Sequence, residues 1–327
     1  WKRSNGFLSR YMIDSLASVK YAVLDKTETP PRGFEKIGEN ENYNIYRNNY
    51  SMPLGVVIDQ TISIEDFEKL SIRQKDVALL NCIVSDDIQE SNLTQYQNEL
   101  NVESEEITLE EMYLEGITLA GKNDMYEIQC ESEDFNRICL QTKDMQWTED
   151  NEYIVSFKIY SPTENSIFIQ WNEGDVWKQK IISVTEGMNN VNFTIDYKNT
   201  DTLCMYFQKG TYQIGNLHYE SSSEDAIDEV YQSGISEKSF LQMDTYENNL
   251  ITGTIETEKD SFLLFMIPFD KNWELYVDGK EAQLQQVDYG FMGSRIAAGN
   301  HAIKLDYVPD SNAIPVYISI VGIILLA

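Results

Sequence analysis

Two tryptophans and the polar residues between them form the most specific candidate for binding chemistry in this sequence. The stretch IQWNEGDVWKQ places Trp171 and Trp177 at the two edges of a turn that also carries Asn172 and Asp175. Sugars dock on exposed aromatic rings, while amide and carboxylate side chains hydrogen-bond to their hydroxyl groups. This spacing therefore predicts a saccharide-binding rim at one end of a β-structure.

Alternation along the preceding strand favours a different role for the first tryptophan. In SIFIQW, Ile167, Ile169 and Trp171 lie two residues apart, so they point to the same face of a strand. That face would be the core, and Trp171 would then pack inside instead of binding a ligand. Trp177 is expected to be the more exposed of the pair.

A second candidate lies in the polar stretch YRNNYSMPLG, which begins with Tyr46, Arg47 and Asn48. The planar guanidinium of Arg47 could hold a phosphate through two parallel hydrogen bonds. The same residues also fit the end of an ordinary β-hairpin, and this alternative stays open.

The sequence contains no motif for catalysis. It has no glycine-rich phosphate loop, no nucleophile elbow and no HExxH zinc motif. The adjacent carboxylates Asp86 and Asp87 and the segment DNEY at 150–153 resemble acid–base pairs only in composition. Neighbouring carboxylates on one chain usually point in different directions, so we predict no catalytic residue and no cofactor within this chain.

A structural calcium ion is the one metal that the sequence leaves open. Glu131, Glu133 and Asp134 are clustered, but calcium needs six to eight oxygen ligands and no EF-hand-like loop is present. A solvated strand edge explains the same cluster.

The four cysteines do not have the close paired spacing of a zinc site. Cys130 and Cys139 could face each other on neighbouring strands and form a disulfide. The alternative, in which all four cysteines are buried free thiols, is favoured.

The charge balance excludes one large class of partner. The chain carries 25 Lys and Arg against 54 Asp and Glu, a net charge of −29. Nucleic acids are polyanions that require a basic surface, so nucleic-acid binding is excluded. The same repulsion opposes non-specific adsorption to anionic lipid.

The elements that must position these residues are mainly β. Residues 1–84 are predicted to form a small α+β unit, with helices over 4–18 and 63–83. From 105 to 220, short β-patterned runs recur without intervening helices, which predicts a jelly-roll-like β-sandwich. The segment SSSEDAIDEVYQSG is expected to be a linker with one helical turn. Residues 236–310 are predicted to form a second β-sandwich module, in which the Asp-Gly pair at 278–279 marks a tight hairpin.

The last 15 residues, 313–327, carry no charge. A membrane-spanning helix needs about 20 apolar residues. This run is expected to be the start of such a helix, and the chain a piece of a larger membrane protein. The alternative is a final buried strand.

Several stretches in fixed order resemble one known family. DSLASVKYAVLD, NYNIYRNNYSMPLGVVID and IPFDKNWELYVDGK, followed by GFMGSRIAAGNHAIKLDYVP and an apolar run, are similar to the YfhO family of bacterial membrane proteins. The resemblance covers residues 8–60 and 260–327, and the middle matches only in order and β-character. Within these motifs, Trp273 is expected to pack between sheet layers and His301 to be a structural hydrogen-bonding residue.

The resemblance implies a fold and a function for the parent protein. YfhO-like proteins have many membrane spans in a GT-C-like arrangement and resemble glycosyltransferases that use polyprenyl-phosphate sugars to decorate lipoteichoic or wall teichoic acid in Gram-positive bacteria. This chain would be an extracellular region that positions the acceptor or shapes the mouth of the active site. Its expected partners are its own missing transmembrane helices and a teichoic acid or other envelope glycan. The alternative is a carbohydrate-binding or adhesin-like surface module with no role in transfer.

Overall fold

The computed structural model describes residues 11–26, 28, 30–88, 93–109, 112–122, 125–134, 136–141, 147–173, 176–196, 202–236 and 239–309. The fold is mainly β, which confirms the predicted fold class. The helices are α1 Tyr11–Leu16, α2 Ile64–Glu68, α3 Ile72–Asn81 and α4 Glu224–Ser236. The first strands are β1 Tyr21–Asp25, β2 Phe34–Glu39, β3 Tyr43–Asn48, β4 Gly55–Ile58, β5 Gln60–Ile62, β6 Ile83–Val84, β7 Thr94–Gln95 and β8 Glu103–Glu106. They are followed by β9 Tyr113–Glu115, β10 Ile117–Lys122, β11 Met125–Cys130, β12 Arg137–Gln141, β13 Asn151–Ser161, β14 Asn165–Glu173, β15 Val176–Val184, β16 Gly187–Asp196, β17 Thr202–Tyr206 and β18 Gly210–Ser223. The last are β19 Gln242–Glu247, β20 Leu250–Thr257, β21 Ser261–Pro268, β22 Trp273–Val277, β23 Lys280–Ala282, β24 Gln285–Val287, β25 Phe291–Ile296 and β26 Gly299–Tyr307.

The chain folds into two compact units, each made of separate chain segments. The first unit comprises Trp1–Met52, Glu65–Leu80 and Gln97–Ser236, and the second comprises Pro53–Ile64, Asn81–Tyr96 and Glu237–Ala327. The sequence-based boundaries at residues 84 and 236 were drawn along the chain, whereas these units are discontinuous. Strand pairing is one reason, because β4 hydrogen-bonds to β21, about 200 residues later in the sequence.

The first unit is built around an antiparallel β-sandwich. One sheet has the strand order β15-β14-β17-β12-β9, and the other has the order β10-β11-β18-β13-β16 with β8 paired to β18. Side chains from both sheets fill one core, and the predicted inward face of β14 is found there. Burying an Ile or Phe side chain stabilises a fold by about 1.5–3 kcal/mol, so this alternation accounts for much of the sandwich's cohesion.

The first unit also contains a three-stranded antiparallel sheet, β1-β3-β2, preceded by α1. β2 and β3 pair as a hairpin, which agrees with the alternative that residues 46–48 form the end of an ordinary β-hairpin. Residues 1–10, which include positions 4–10 of the helix predicted over 4–18, lie outside the described residues.

Helix α4 is longer than the single turn expected from the segment after β18. Ser223 caps its start, because its Oγ accepts a hydrogen bond from the Ala226 backbone N–H at 3.4 Å. Glu224 and Asp225 add negative charge in the first turn, where it interacts favourably with the helix dipole. Ile227 and Tyr231 are one turn apart and buried, so the helix also has an apolar anchor.

The second unit is also a two-sheet structure. Its sheets have the orders β19-β20-β26-β22-β23 and β24-β25-β21-β4, with a short parallel set β6-β5-β7 beside them. Apolar residues of both larger sheets share one core. The turn between β22 and β23 has positive φ at both Asp278 and Gly279, as the Asp-Gly pair predicts.

In the described part of the chain, no helix is both long enough and apolar enough to cross a membrane. The apolar run 313–327 lies outside the described residues, so the expected transmembrane segment stays a prediction.

Candidate functional site

The outer face of the sheet β15-β14-β17-β12-β9 brings together the side chains best suited to bind a ligand. Ile167 and Ile169 of β14 enter the sandwich core, so the alternate residues Phe168 and Gln170 point outward. The same parity holds along the neighbouring strands. We use the name aromatic face for the outward side chains Tyr113, Phe168, Gln170, Trp177, Gln179 and Tyr206.

The register of the strands aligns these side chains in rows. In the first row, Phe168 lies opposite Tyr206 of β17, and Tyr206 lies opposite Arg137 of β12. Arg137 in turn lies opposite Glu115 of β9. Directly opposed residues in antiparallel strands have their Cβ atoms about 4.5–5.5 Å apart, so this row is a continuous band of side-chain contacts.

Arg137 is held rigidly within the band. Its Nε donates to Glu115 Oε2 at 2.6 Å, and its Nη1 donates to the Tyr206 hydroxyl at 3.3 Å. The guanidinium also lies 6.0 Å from the ring centre of Tyr113 and 5.9 Å from that of Tyr206. The hydrogen bond to Tyr206 and the ion pair with Glu115 raise the pKa of Arg137 above its usual value. The cation therefore orients two rings and is already neutralised by its own carboxylate.

A disulfide lies in the second row, at the centre of the face. Cys139 of β12 and Cys204 of β17 are directly opposed and covalently bonded, with their Cα atoms 4.1 Å apart. Both sequence-based alternatives are therefore wrong, the Cys130–Cys139 bond and the four free thiols. Cys130 lies on β11 in the other sheet, and like Cys82 it is buried and not disulfide-bonded. Burial raises the pKa of the Cys130 thiol to about 12, which leaves it unreactive.

The tryptophan pair divides as the alternation predicts. Trp171 is buried in the sandwich core, whereas Trp177 of β15 is 58% exposed. Asn172 lies opposite Trp177 but is buried, and its Oδ1 accepts a hydrogen bond from the Thr202 backbone N–H at 2.9 Å. Trp177 thus joins the aromatic face, and Asn172 serves the backbone of β17. Asp175 lies outside the described residues.

A groove of about 610 Å³ runs along the end of the first row. It is lined by Glu133, Asp134, Asn136, Phe168, Gln170, Tyr206, Phe207, Gln208 and Lys209. Its one lysine is paired, because Lys209 Nζ lies 2.6 Å from Glu133 Oε1. The groove therefore offers ring faces, amides, the Asp134 carboxylate and a lysine already paired with a glutamate, which suits a hydroxyl-rich, uncharged ligand better than a phosphate.

Two of the three carboxylates considered for calcium have other partners. Thr118 Oγ1 donates a hydrogen bond to Glu131 at 3.2 Å, and Glu133 is paired with Lys209. Among the described residues, no group of three or more His, Cys, Asp or Glu is arranged to hold a metal ion.

The second predicted site, at residues 46–48, is not part of the aromatic face. Tyr46 and Asn48 point inward from β3 and are buried, and the Asn48 amide donates to the Val19 carbonyl at 3.0 Å. Arg47 is exposed and lies 3.1 Å from Glu35 Oε2. The three side chains therefore do not converge on one point.

The remaining residues of interest have structural partners. Asp86 accepts a hydrogen bond from the Ile64 backbone N–H at the start of α2. Glu152 of the DNEY segment is buried and forms an ion pair with Arg73. His301 hydrogen-bonds to Asp278 at 2.8 Å, which confirms its structural role, and Trp273 packs against the core of the second unit.

Sequence reasoning missed most of the aromatic face. Phe168 and Gln170 could have been found, since they alternate with residues already assigned to the core. Tyr113, Arg137 and Tyr206 carried no local signal, because strand pairing alone brings them together.

With the fold and site in hand, comparison with known proteins indicates a class of bacterial membrane protein. The chain matches the family described as bacterial membrane protein YfhO over residues 2–319. The chain therefore belongs to the YfhO family, as its motifs suggested. It is 26% identical to the uncharacterized protein YfhO of Bacillus subtilis over an alignment of 318 residues. This alignment covers 95% of this chain and 35% of that relative. It thus spans about a third of the relative's length.

Solved structures with some likeness include sugar-binding modules. A family 29 carbohydrate-binding module covers 37% of this chain and 90% of its own, at 13% identity and a TM-score of 0.30. The C-terminal family 6 module of a laminarinase from Zobellia galactanivorans covers 38% of this chain and 100% of its own, at 12% identity and a TM-score of 0.27. TM-scores this low do not support transfer of any property to this chain.

Proposed function

We propose that this chain is the extracytoplasmic region of a polytopic membrane glycosyltransferase that decorates lipoteichoic or wall teichoic acid from a polyprenyl-phosphate sugar. Family membership supports a membrane protein, and the transfer reaction is what the resemblance to YfhO-like proteins implies. Within this chain, the proposed role is to hold the glycan on the aromatic face while membrane-embedded residues of the parent perform the chemistry.

The observation that carries the proposal is the composition of the aromatic face. Trp177, Phe168 and Tyr113 are 58%, 38% and 56% exposed on one side of one sheet. Gln170 and Gln179 lie opposite each other between them, with an amide contact of 3.5 Å. Exposed rings with interleaved amides suit stacking on a sugar ring and hydrogen bonding to its hydroxyls.

The disulfide supports an extracytoplasmic location. Disulfides form and persist in oxidising compartments and are rare in the reducing cytosol. The Cys139–Cys204 bond is buried within the folded sheet. Its presence is compatible with folding in an oxidising compartment outside the cytoplasm.

Calorimetry of this chain with purified lipoteichoic acid, glycosylated and bare, with and without calcium, tests the glycan-holding role. We expect binding to the glycosylated polymer, weakened roughly tenfold by Trp177→Ala or Phe168→Ala, a loss of about 1.4 kcal/mol. Tyr160→Ala is the matched control, because Tyr160 is an exposed aromatic on the opposite sheet. Equal affinity for bare polymer, or an equal loss in the control, would contradict sugar recognition by this face.

The same face also supports the alternative of a carbohydrate-binding surface module without a transfer role. The full-length parent separates the two. If Phe168→Ala and Trp177→Ala together abolish glycan binding but leave glycosylation of teichoic acid unchanged in cells, the module acts apart from transfer. Reduced glycosylation at normal protein abundance would support the proposed role in the reaction.

A further inference from the structure

The three-stranded sheet β1-β3-β2 presents several apolar residues to the outside. Val23 is 63% exposed and Tyr21 is 55% exposed on β1, and Ile37 and Tyr43 are also exposed. Asn44 and Asn48 of β3 are buried on the other side of the sheet, as are Tyr46 and Phe34. The sheet therefore carries apolar side chains on both sides, and the exposure of those on the outer side needs an explanation beyond folding.

The strand register shows that the apolar side chains share one face. Val23 lies opposite Ile45, and Tyr43 lies opposite Asp25 two residues along the same strands. Tyr21 lies opposite Arg47, which continues the same face towards its other end. On β2 an irregularity between Lys36 and Gly38 accommodates Ile37 at the edge of this face. We call Tyr21, Val23, Ile37, Tyr43 and Ile45 the outer apolar face.

Hydrogen bonds on the inner side prevent the sheet from turning over. The Asn48 side chain donates to Ser15 Oγ at 3.3 Å and to the Val19 carbonyl at 3.0 Å. Its Oδ1 accepts from the Tyr50 backbone N–H at 2.9 Å. A one-residue shift of register would bury the apolar face but leave this amide without partners. The exposed orientation is therefore specified by the fold.

The charge around this face differs from that of the whole chain. Between residues 20 and 47 the sequence carries five basic and five acidic side chains, so the net charge of −29 resides elsewhere. Lys20 Nζ lies 5.8 Å from the ring centre of Tyr21, at one end of the exposed apolar side chains. Long lysine side chains beside apolar residues can extend their ammonium groups towards headgroups while the stems contact apolar surface.

We infer that the outer apolar face lies against the interfacial region of a lipid bilayer. Tyrosine rings and flanking lysines are typical of the membrane–water boundary. The face spans about 10 Å across three strands and about 17 Å along them. Its area is therefore far below the roughly 800 Å² that each partner of a stable protein complex buries. A membrane-anchored protein needs no strong contact here, since anchoring already supplies a high local concentration. The inference rests on family membership and is independent of glycan binding.

Lipid contact can be measured with an environment-sensitive fluorophore. Nitrobenzoxadiazole is attached at Val23→Cys, with Tyr246→Cys as the matched control because Tyr246 is 69% exposed in the other unit. The two native cysteines outside the disulfide, Cys82 and Cys130, are buried and compete little for the label. Each labelled full chain is bound through a C-terminal His tag to nickel-chelating liposomes of phosphatidylcholine, with or without phosphatidylglycerol.

We expect label emission at position 23 to rise at least twofold on liposomes and to be quenched by doxyl-labelled lipid, while the label at 246 changes little. A second labelled chain, Ile37→Cys, should lose its response when Tyr21→Ser and Val23→Thr are added. Circular dichroism confirms that these variants are folded. If the label at 23 responds no more than that at 246, the inference of lipid contact is wrong.

Discussion

At the scale of single residues, Asp288 is the most unusual titratable group in the second unit. It lies in the turn between β24 and β25 with a positive φ of 49°. Its Oδ1 accepts a hydrogen bond from the Val84 backbone N–H at 2.7 Å, and its own N–H donates to the Val84 carbonyl at 3.2 Å. Oδ2 is buried without a hydrogen-bond partner among the described residues. Burial raises the pKa of Asp288 to about 7, although the bond from Val84 acts in the opposite direction.

The raised pKa predicts a specific pH dependence of stability. The folded state binds the Asp288 proton more tightly than the unfolded state does. The stabilising contribution of this protonated carboxyl is therefore fully present below about pH 4 and is lost as pH rises through 7. Asp288→Asn keeps an oxygen for Val84, tolerates the left-handed backbone and cannot ionise. We expect the free energy of unfolding of the variant to rise relative to that of wild type between pH 4 and 7. The difference should reach on the order of 2–4 kcal/mol at pH 8.

Urea denaturation followed by circular dichroism at pH 4, 6 and 8 measures this difference. Asp244→Asn, at an exposed carboxylate on β19, is the control and should follow wild type. Parallel curves for Asp288→Asn and wild type across this range would show that the carboxyl is ionised in the folded protein without cost.

At the scale of elements, the Cys139–Cys204 bond joins β12 to β17 beneath the aromatic face. The two residues are 65 positions apart, so the bond closes a long loop in the unfolded chain. Loop-closure entropy assigns about 4 kcal/mol to a loop of this size, within a usual range of 2–5 kcal/mol. We expect Cys139→Ala with Cys204→Ala to lower the urea midpoint accordingly and to weaken glycan binding. Dithiothreitol should destabilise wild type in the same way and leave the double variant unchanged, and any equal response of the two would exclude the bond as the cause.

The contrast between local and long-range signals explains what the sequence could predict. Alternation places Ile167, Ile169 and Trp171 in the core, because the two-residue period within one strand shows which of its side chains share a face. No local pattern reports which strands are neighbours, and pairing decides that Cys139 faces Cys204 instead of Cys130. The same limit hid the aromatic face, whose members come from four different strands. It also hid the discontinuous units, since the partner of β4 lies far along the chain.

For helix α4, in contrast, the local sequence contains enough information to predict the element. The α4 segment contains a cap, acidic residues in its first turn and an apolar pair one turn apart, all of which are local. Its three consecutive serines and many charges resembled a linker in composition. Position-specific capping was therefore the better guide than composition, because it identifies the donors that a helix start must satisfy.

At the scale of the whole molecule, charge constrains how the protein meets its proposed ligand. Teichoic acid is a polyanion, and the chain carries a net charge of −29. Their mutual repulsion is long-ranged at low ionic strength and screened within about 10 Å at 0.1 M salt. The two cations beside the aromatic face, Arg137 and Lys209, are each paired with a glutamate and do little to offset it.

This repulsion predicts a salt dependence opposite to that of most proteins that bind polyanions. Affinity for glycosylated lipoteichoic acid should rise several-fold between about 20 mM and 150 mM sodium chloride, because screening removes repulsion and leaves stacking on uncharged sugar intact. Calcium at millimolar concentration should produce the same gain at low salt by bridging carboxylates and phosphates. A short, uncharged oligosaccharide from the same polymer is the control and should bind independently of salt. A calorimetric affinity that instead falls as salt increases would show direct contact between basic side chains and phosphate. The binding site would then include exposed cations such as Arg47 and would not be confined to the aromatic face.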